Sequence, residues 1–252
     1  MNKRRWISYF AVGVMAFVWF LGHNPPWSRL EGWINKQIPV EIQDVTGSIW
    51  HGNVDSLQYD AYTVRHVGWR LVWSRLLGLT PTIALSIGQG SDALIGSALV
   101  SQPEDHTLSL DELRLSGRLV DLQPLLGAYI SGWHGQFQVV SDSIEYVLHN
   151  KIPQISNTEI SVHDLTIWGE TLGRYRAVAK SSSDGEMVIR LNDEAGVVGL
   201  DGTVRISKKG RYQLSGLMTL PAHLEKRFAP LLRQLGRVKE PGRVTLNIKG
   251  TL

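Results

Sequence analysis

Near its C-terminus the chain reads Arg243-Val244-Thr245-Leu246-Asn247-Ile248-Lys249, a strict alternation of polar and apolar side chains. Successive side chains of an extended backbone leave opposite faces, so Val244, Leu246 and Ile248 share one side and the hydrophilic residues the other. This is a strand with one dry and one wet face. Further back, Val204 and Ile206 alternate with Thr203, Arg205 and Ser207, while Met187, Ile189 and Leu191 face away from Arg190 and Asn192. Asp184-Gly185, Asp201-Gly202, Lys209-Gly210 and Pro241-Gly242 fall between the runs and supply the turn chemistry of consecutive hairpins. The C-terminal third is thus expected to be an antiparallel meander. One helical stripe interrupts it, Leu224, Phe228, Leu231, Leu232 and Leu235, kinked by Pro230 and stopped by Gly236.

Two internal echoes carry the strand reading toward the N-terminus. Thr107-Leu-Ser-Leu-Asp-Glu-Leu-Arg-Leu-Ser-Gly117 matches Glu159-Ile-Ser-Val-His-Asp-Leu-Thr-Ile-Trp-Gly169 in residue type. Alternation skips one phase at the central polar pair, Asp111-Glu112 or His163-Asp164, as a β-bulge or tight bend would require, and each copy ends in a glycine that allows a turn. The second echo is Trp50-His51-Gly52-Asn53 against Trp133-His134-Gly135-Gln136.

The other end of the chain has a different period. Trp6 to Leu21 runs without a charge, and its apolar side chains Trp6, Ile7, Tyr9, Phe10, Val12, Val14, Phe17, Val18, Trp19, Phe20 and Leu21 suit a membrane-spanning helix. A cleaved signal peptide is the rival reading. It would end in small residues, whereas here Phe20-Leu21 is followed by Gly22-His23-Asn24-Pro25-Pro26, which favours an uncleaved signal-anchor. Lys3, Arg4 and Arg5 precede the span and, by the positive-inside rule, stay in the cytoplasm, so the rest of the chain lies in the periplasm of a bacterial envelope. Trp27, Leu30, Trp33, Ile34 and Ile38 then recur at helical spacing, as an amphipathic helix on the bilayer or a linker packed on the domain. The expected organisation is a cytoplasmic tail over 1–5, a transmembrane anchor over 6–22, a juxtamembrane helix over 23–40 and a periplasmic β-rich domain over 41–252. In fold class this is mainly β, a single transmembrane helix followed by an antiparallel curved sheet with a few short helices.

Composition removes several functions. The 252 residues include no cysteine, which excludes disulfides, thiol nucleophiles and cysteine-ligated metals. The net charge of +3 belongs to the N-terminal tail, because the remainder has 23 Lys and Arg against 23 Asp and Glu. No clustered cationic run follows, so a nucleic-acid partner is not expected. Gly88-Gln-Gly90-Ser-Asp-Ala93 resembles a degenerate dinucleotide loop, but Leu94 to Val100 reads as a strand rather than the helix that would receive a pyrophosphate, and a hairpin turn is expected. The eight histidines contain no i, i+4 pair, and His51 and His134, which share the Trp-His-Gly echo, are read as turn residues. There is no nucleophile elbow or P-loop, and the acids are assigned mainly to turns, at Asp142, Asp184, Asp193-Glu194 and Asp201. No catalytic residue, cofactor or metal is expected.

The candidate surface is aromatic. Trp69, Leu71 and Trp73 fall on one strand face, continued by Leu76 and Leu77, either as core or as a greasy surface toward lipid or a partner. The chain as a whole resembles the type II secretion system protein N family, also called general secretion pathway protein N. The resemblance rests on the anchor, Gly47-Ser-Ile-Trp50-His51-Gly52, Val67-Gly-Trp69-Arg-Leu leading to Leu76-Leu77-Gly78, Gly210-Arg-Tyr212-Gln-Leu214, Leu231-Leu232-Arg-Gln-Leu235-Gly236 and the segment from Gly242 to Leu252. It implies a non-enzymatic, accessory inner-membrane component of the machine that moves folded proteins out of the periplasm, with the other inner-membrane platform proteins as partners. Distant kinship to AsmA-like proteins, whose curved sheets carry an apolar concave face, implies the alternative of a lipid-binding or lipid-transfer module with phospholipid as partner.

Overall fold

The computed structural model describes residues 40–48, 50–59, 62–76, 80–104, 106–147, 150, 152–225, 228, 236–240 and 242–251. The expected tail and anchor, residues 23–39 of the juxtamembrane helix, Leu77 and residues 231–235 lie outside them. Among the described residues no helix is long and apolar enough to cross a membrane.

Among the described residues fifteen strands build one antiparallel sheet. They are β1 (Val40–Gly47), β2 (His51–Tyr59), β3 (Tyr62–Leu71), β4 (Thr82–Ile87), β5 (Leu94–Glu104), β6 (Thr107–Arg118), β7 (Trp133–Val147), β8 (Gln154–Ile155), β9 (Thr158–Ile167), β10 (Glu170–Ser181), β11 (Met187–Asp193), β12 (Gly199–Ile206), β13 (Arg211–Thr219), β14 (Gly236–Glu240) and β15 (Arg243–Thr251). Fourteen follow one path, β1 to β7, then β9 to β13, then β15 and β14, with the two-residue β8 paired to β7 off the path. The sheet stays open, with β1 and β14 at its two edges. Short helical turns sit between strands: α1 (Trp73–Leu76), a 3-10 turn at Leu119–Leu122, α2 (Gln123–Leu126) and a 3-10 turn at Gly127–Ile130.

Register turns the alternation of single strands into a face. Residues paired across antiparallel strands point to the same side. Leu71, Ile83, Val100, Leu110 and Ile144 pair in succession from β3 to β7. A longer row joins Gly96, Leu115, Val139, Ile160, Ala177, Leu191, Gly202, Gly216 and Leu246 from β5 to β15. One apolar face therefore crosses most of the sheet, and a polar row such as Thr82, Ser101, Ser109 and Glu145 lies on the other.

The skipped phases are bulges. Glu112 and Asp164, the second residues of the two polar pairs, have φ of 53° and 52°, and the register shifts beside each. Placing an acid rather than a glycine in this region is uncommon, and the bend it makes keeps the apolar face continuous past the kink. Asp44 (φ 53°) and His66 (φ 51°) take the same backbone conformation in β1 and β3, where the pairing with β2 keeps its register on both sides.

Four expectations about turns need correction. Asp201-Gly202 lies inside β12, where Gly202 pairs with Gly216. The glycines serve close backbone approach, since a Cβ on Gly216 would come within 2.6 Å of the Gly202 Cα. Asp142 lies inside β7, its N–H donating to the Asn157 carbonyl at 3.1 Å. Gly117 is not a turn either: it sits in β6 opposite Phe137, whose ring a Cβ would meet at 3.1 Å. The fourth is the order of the last strands: β14 and β15 do form a hairpin across Gly242, but β13 pairs with β15 and leaves β14 as the outer strand.

Leu119, Phe137, Leu165, Ile167, Leu172, Val198, Leu220, Leu224, Phe228, Val244 and Leu246 form one buried cluster in the C-terminal half. Leu224 and Phe228, from the expected helical stripe, cap the apolar face there. In β1 to β6 the face is less covered: Ile83 is 39% and Leu108 40% exposed.

Candidate functional site

The aromatic residues separate into three places. Trp69 pairs with Gly52 across β2 and β3, and its ring lies over that glycine, where any Cβ on Gly52 would collide. Its indole N–H donates to the Ser48 carbonyl at 3.2 Å. Such an aromatic cover shields backbone that a glycine would leave bare. The device recurs, with Phe137 over Gly117 and Tyr212 over Gly250. Leu71 ends β3 and belongs to the apolar row. Trp73 leaves the strand face, because it opens α1; it is 56% exposed and meets Trp50 with ring centroids 5.1 Å apart. Leu76 closes α1. The expected single stripe is therefore split at Val72, where the chain turns from extended to helical.

His51 opens β2 at a turn organised by Ser48, whose Oγ accepts the N–H groups of Trp50 and His51 at 3.3 Å. His134 is the second residue of β7 and lies exposed on a strand rather than in a turn. No three His, Cys, Asp or Glu side chains among the described residues are grouped to hold a metal. The 88–93 loop is the hairpin between β4 and β5, with Gly88 and Gly90 at φ of 72° and 58°. Asp92 organises it: its Oδ2 accepts the Gln89 N–H at 2.6 Å and lies 2.7 Å from His66 Nδ1. The Gln89 hydrogen bond, followed by the one from His66, holds the Asp92 carboxyl below its ordinary range. His66 Nε2 also lies 3.5 Å from Asp55. This histidine sits between two carboxylates 11 residues behind it and 26 ahead, a grouping that only the β2–β3–β4–β5 pairing produces.

Sequence reasoning missed an apolar concavity. A cavity of about 410 Å³ lies against the apolar face of β9 to β13. Ile160, Val162, Leu165 and Ile167 of β9 line it, with Leu172, Tyr175 and Ala177 of β10, Leu191, Leu200 and Met218 of the next three strands, and Leu119, Leu220 and Phe228. Tyr175 brings the one hydroxyl to this lining, and it is occupied, donating to the Leu172 and Val198 carbonyls at 3.2 and 3.1 Å. Burial pushes this phenol above its ordinary value. The Arg176 guanidinium is held by Glu159 and, at 3.6 Å, by Glu194. Among the described residues the site offers shape and apolar surface, with the Tyr175 hydroxyl and the Arg176 guanidinium already engaged. The sequence carries no local signal for it: each lining residue reads as an ordinary inward strand position, and only the register row shows that Ala177 and Leu191, which line the cavity, are followed by Gly202 and Gly216.

No curated protein and no solved structure matches the chain. The family model for Type II secretion system (T2SS), protein N, matches residues 39–247, from the first strand to the last. The bulged strands and the Gly52–Trp69 and Gly117–Phe137 pairs fall within that span, which ends inside β15. By that match the chain belongs to the type II secretion system protein N family and is a component of the type II secretion apparatus of the bacterial envelope.

Proposed function

We propose that the protein is an accessory assembly subunit of the type II secretion system, tethered in the inner membrane by residues 6–22 with Lys3, Arg4 and Arg5 in the cytoplasm and the sheet in the periplasm. The observation that carries this reading is the family match over 39–247, which begins where the charge-free run and its juxtamembrane segment have ended. A long sheet open at β1 and β14 offers two edges and a broad face to partners, chief among them the other inner-membrane platform proteins. The Trp50–Trp73 pair at the β2–β3 end, with Trp73 exposed and Trp50 half-buried beside it, adds an aromatic anchor of the kind that interfaces use. Its role is non-enzymatic: the polar groups at its concavity are already engaged with each other or with backbone.

Two measurements test it. Alkaline phosphatase fused after Leu252 is active if the sheet is periplasmic, and an inactive fusion or a mature N-terminus near Asn24 removes the tether. Photo-crosslinking in cells from position 73 recovers a secretion platform protein; recovery of none counts against the assembly role. A second reading, a periplasm-facing lipid-binding module of AsmA-like type with phospholipid as partner, is supported by the half-open apolar face, on which Ile83, Leu108 and Tyr146 remain 36–40% exposed.

A further inference from the structure

Resting on that second reading, we propose that the cavity against β9 to β13 is a binding site for one long unbranched acyl chain, entering past Ile160 with its polar end left in solvent. Packed interiors hold few voids larger than a water molecule, whereas this one, at about 410 Å³, falls within the range of ligand pockets, about 300–1,000 Å³. Water is a poor occupant because it needs two to four polar partners, and among the described lining residues the Tyr175 hydroxyl is committed to two carbonyls and the Arg176 guanidinium to Glu159 and Glu194. A peptide segment is a poor occupant for the same reason: its N–H and C=O groups would be buried without partners. Hydrocarbon asks for none.

The route is continuous with the rest of the face. Ile160 lines the cavity and is 37% exposed, and its pairing with Val139 joins it through β7 and β6 to the open region around Leu108 and Tyr146. Leu220 and Phe228 close the other side. The volume suits one chain, so the second chain of a diacyl lipid would lie along the open face.

The test uses the full chain held in amphipol and cis-parinaric acid, whose fluorescence rises in a dry environment. Saturable binding at one probe per chain is expected. Hexadecanoate should displace the probe far better than hexanoate, and a single-chain lysophospholipid should compete as well as hexadecanoate if the head stays outside; competition by the fatty acid alone would identify a free fatty acid as the source. Ala177→Phe fills the floor and should weaken hexadecanoate binding about tenfold or more, as should Leu191→Trp from the adjacent strand. Ile83→Ser, on the open face, should leave it unchanged. Should either filled variant fail to fold, the thermal shift of the unaltered chain decides: hexadecanoate raises its melting temperature and hexanoate does not. Absence of saturable binding, or of chain-length dependence, overturns the proposal. Binding that survives both filled variants but is lost in Ile83→Ser sinks the cavity site while leaving a lipid-binding face standing.

Discussion

The two halves of the sheet are written in the same pattern of alternation and yet differ in what covers them. From β1 to β6 the apolar face has Val54 and Ala98 as its buried hydrophobics, and Ile83 and Leu108 stand about 40% exposed. From β7 onward the same face carries an eleven-residue core, because Leu119, Leu220, Leu224 and Phe228 come from connecting segments and fold back over it. A strand pattern specifies which side is apolar. It does not specify what lies against that side.

Paired substitutions measure the contrast, and the largest effect belongs to the covered half. Leu246→Ala, at a side chain 3% exposed, should destabilise the protein by about 2–5 kcal/mol, while Leu108→Ala, the same change at 40% exposure, should cost less than about 1 kcal/mol, both read from urea denaturation. Equal effects would mean that the N-terminal face is also sealed. The glycine–aromatic pairs come next. Gly52→Ala in one half and Gly250→Ala in the other must each displace the ring above, by about 1–3 kcal/mol, with tryptophan fluorescence reporting the first. Here the halves should behave alike, since the device is local to a strand pair.

Smaller effects sharpen the bulges and the titrating groups. Asp164→Gly should be neutral or stabilising by up to about 1 kcal/mol, because glycine adopts its φ of 52° without strain, and Asp164→Val should be clearly destabilising by the same thermal measurement. The halves also respond to opposite ends of the pH scale. Folding favours the carboxylate form of Asp92, so its contribution to the β4–β5 hairpin is present above the unfolded value of 3.8 and is lost as pH falls through the lower folded one. Folding favours the neutral phenol of Tyr175, so its contribution is present below 10.0 and is lost as pH rises through the higher folded value. Carboxyl and phenol titrations by NMR should show these opposite displacements, and Tyr175→Phe should cost about 1 kcal/mol by removing the O–H shared between the two carbonyls, of which Leu172 keeps the Val197 N–H at 2.7 Å.

Much of the architecture was legible from particular residues. Val244, Leu246 and Ile248 announced β15, and the skipped phase at Asp111-Glu112 and His163-Asp164 announced two bulges that the left-handed Glu112 and Asp164 carry. Gly202 and Gly117 misled because a glycine in an alternating run reads equally as a turn or as space for a facing group. Only the partner strand, with Gly216 or Phe137, distinguishes the two. Trp69 and Trp73 misled for a related reason: an even spacing implies one face only while the backbone stays extended, and it turns helical at Trp73. The cavity had no local signature at all.

Local chemistry, acting within a few residues, was enough to determine strands, most turns, the bulges and which side is apolar. Register, the open edges, the His66–Asp92 pairing and the cavity depend on side chains tens of residues apart meeting across the sheet. Those were decided by tertiary structure, because alternation has a period of two and is satisfied by every even shift of one strand along the next.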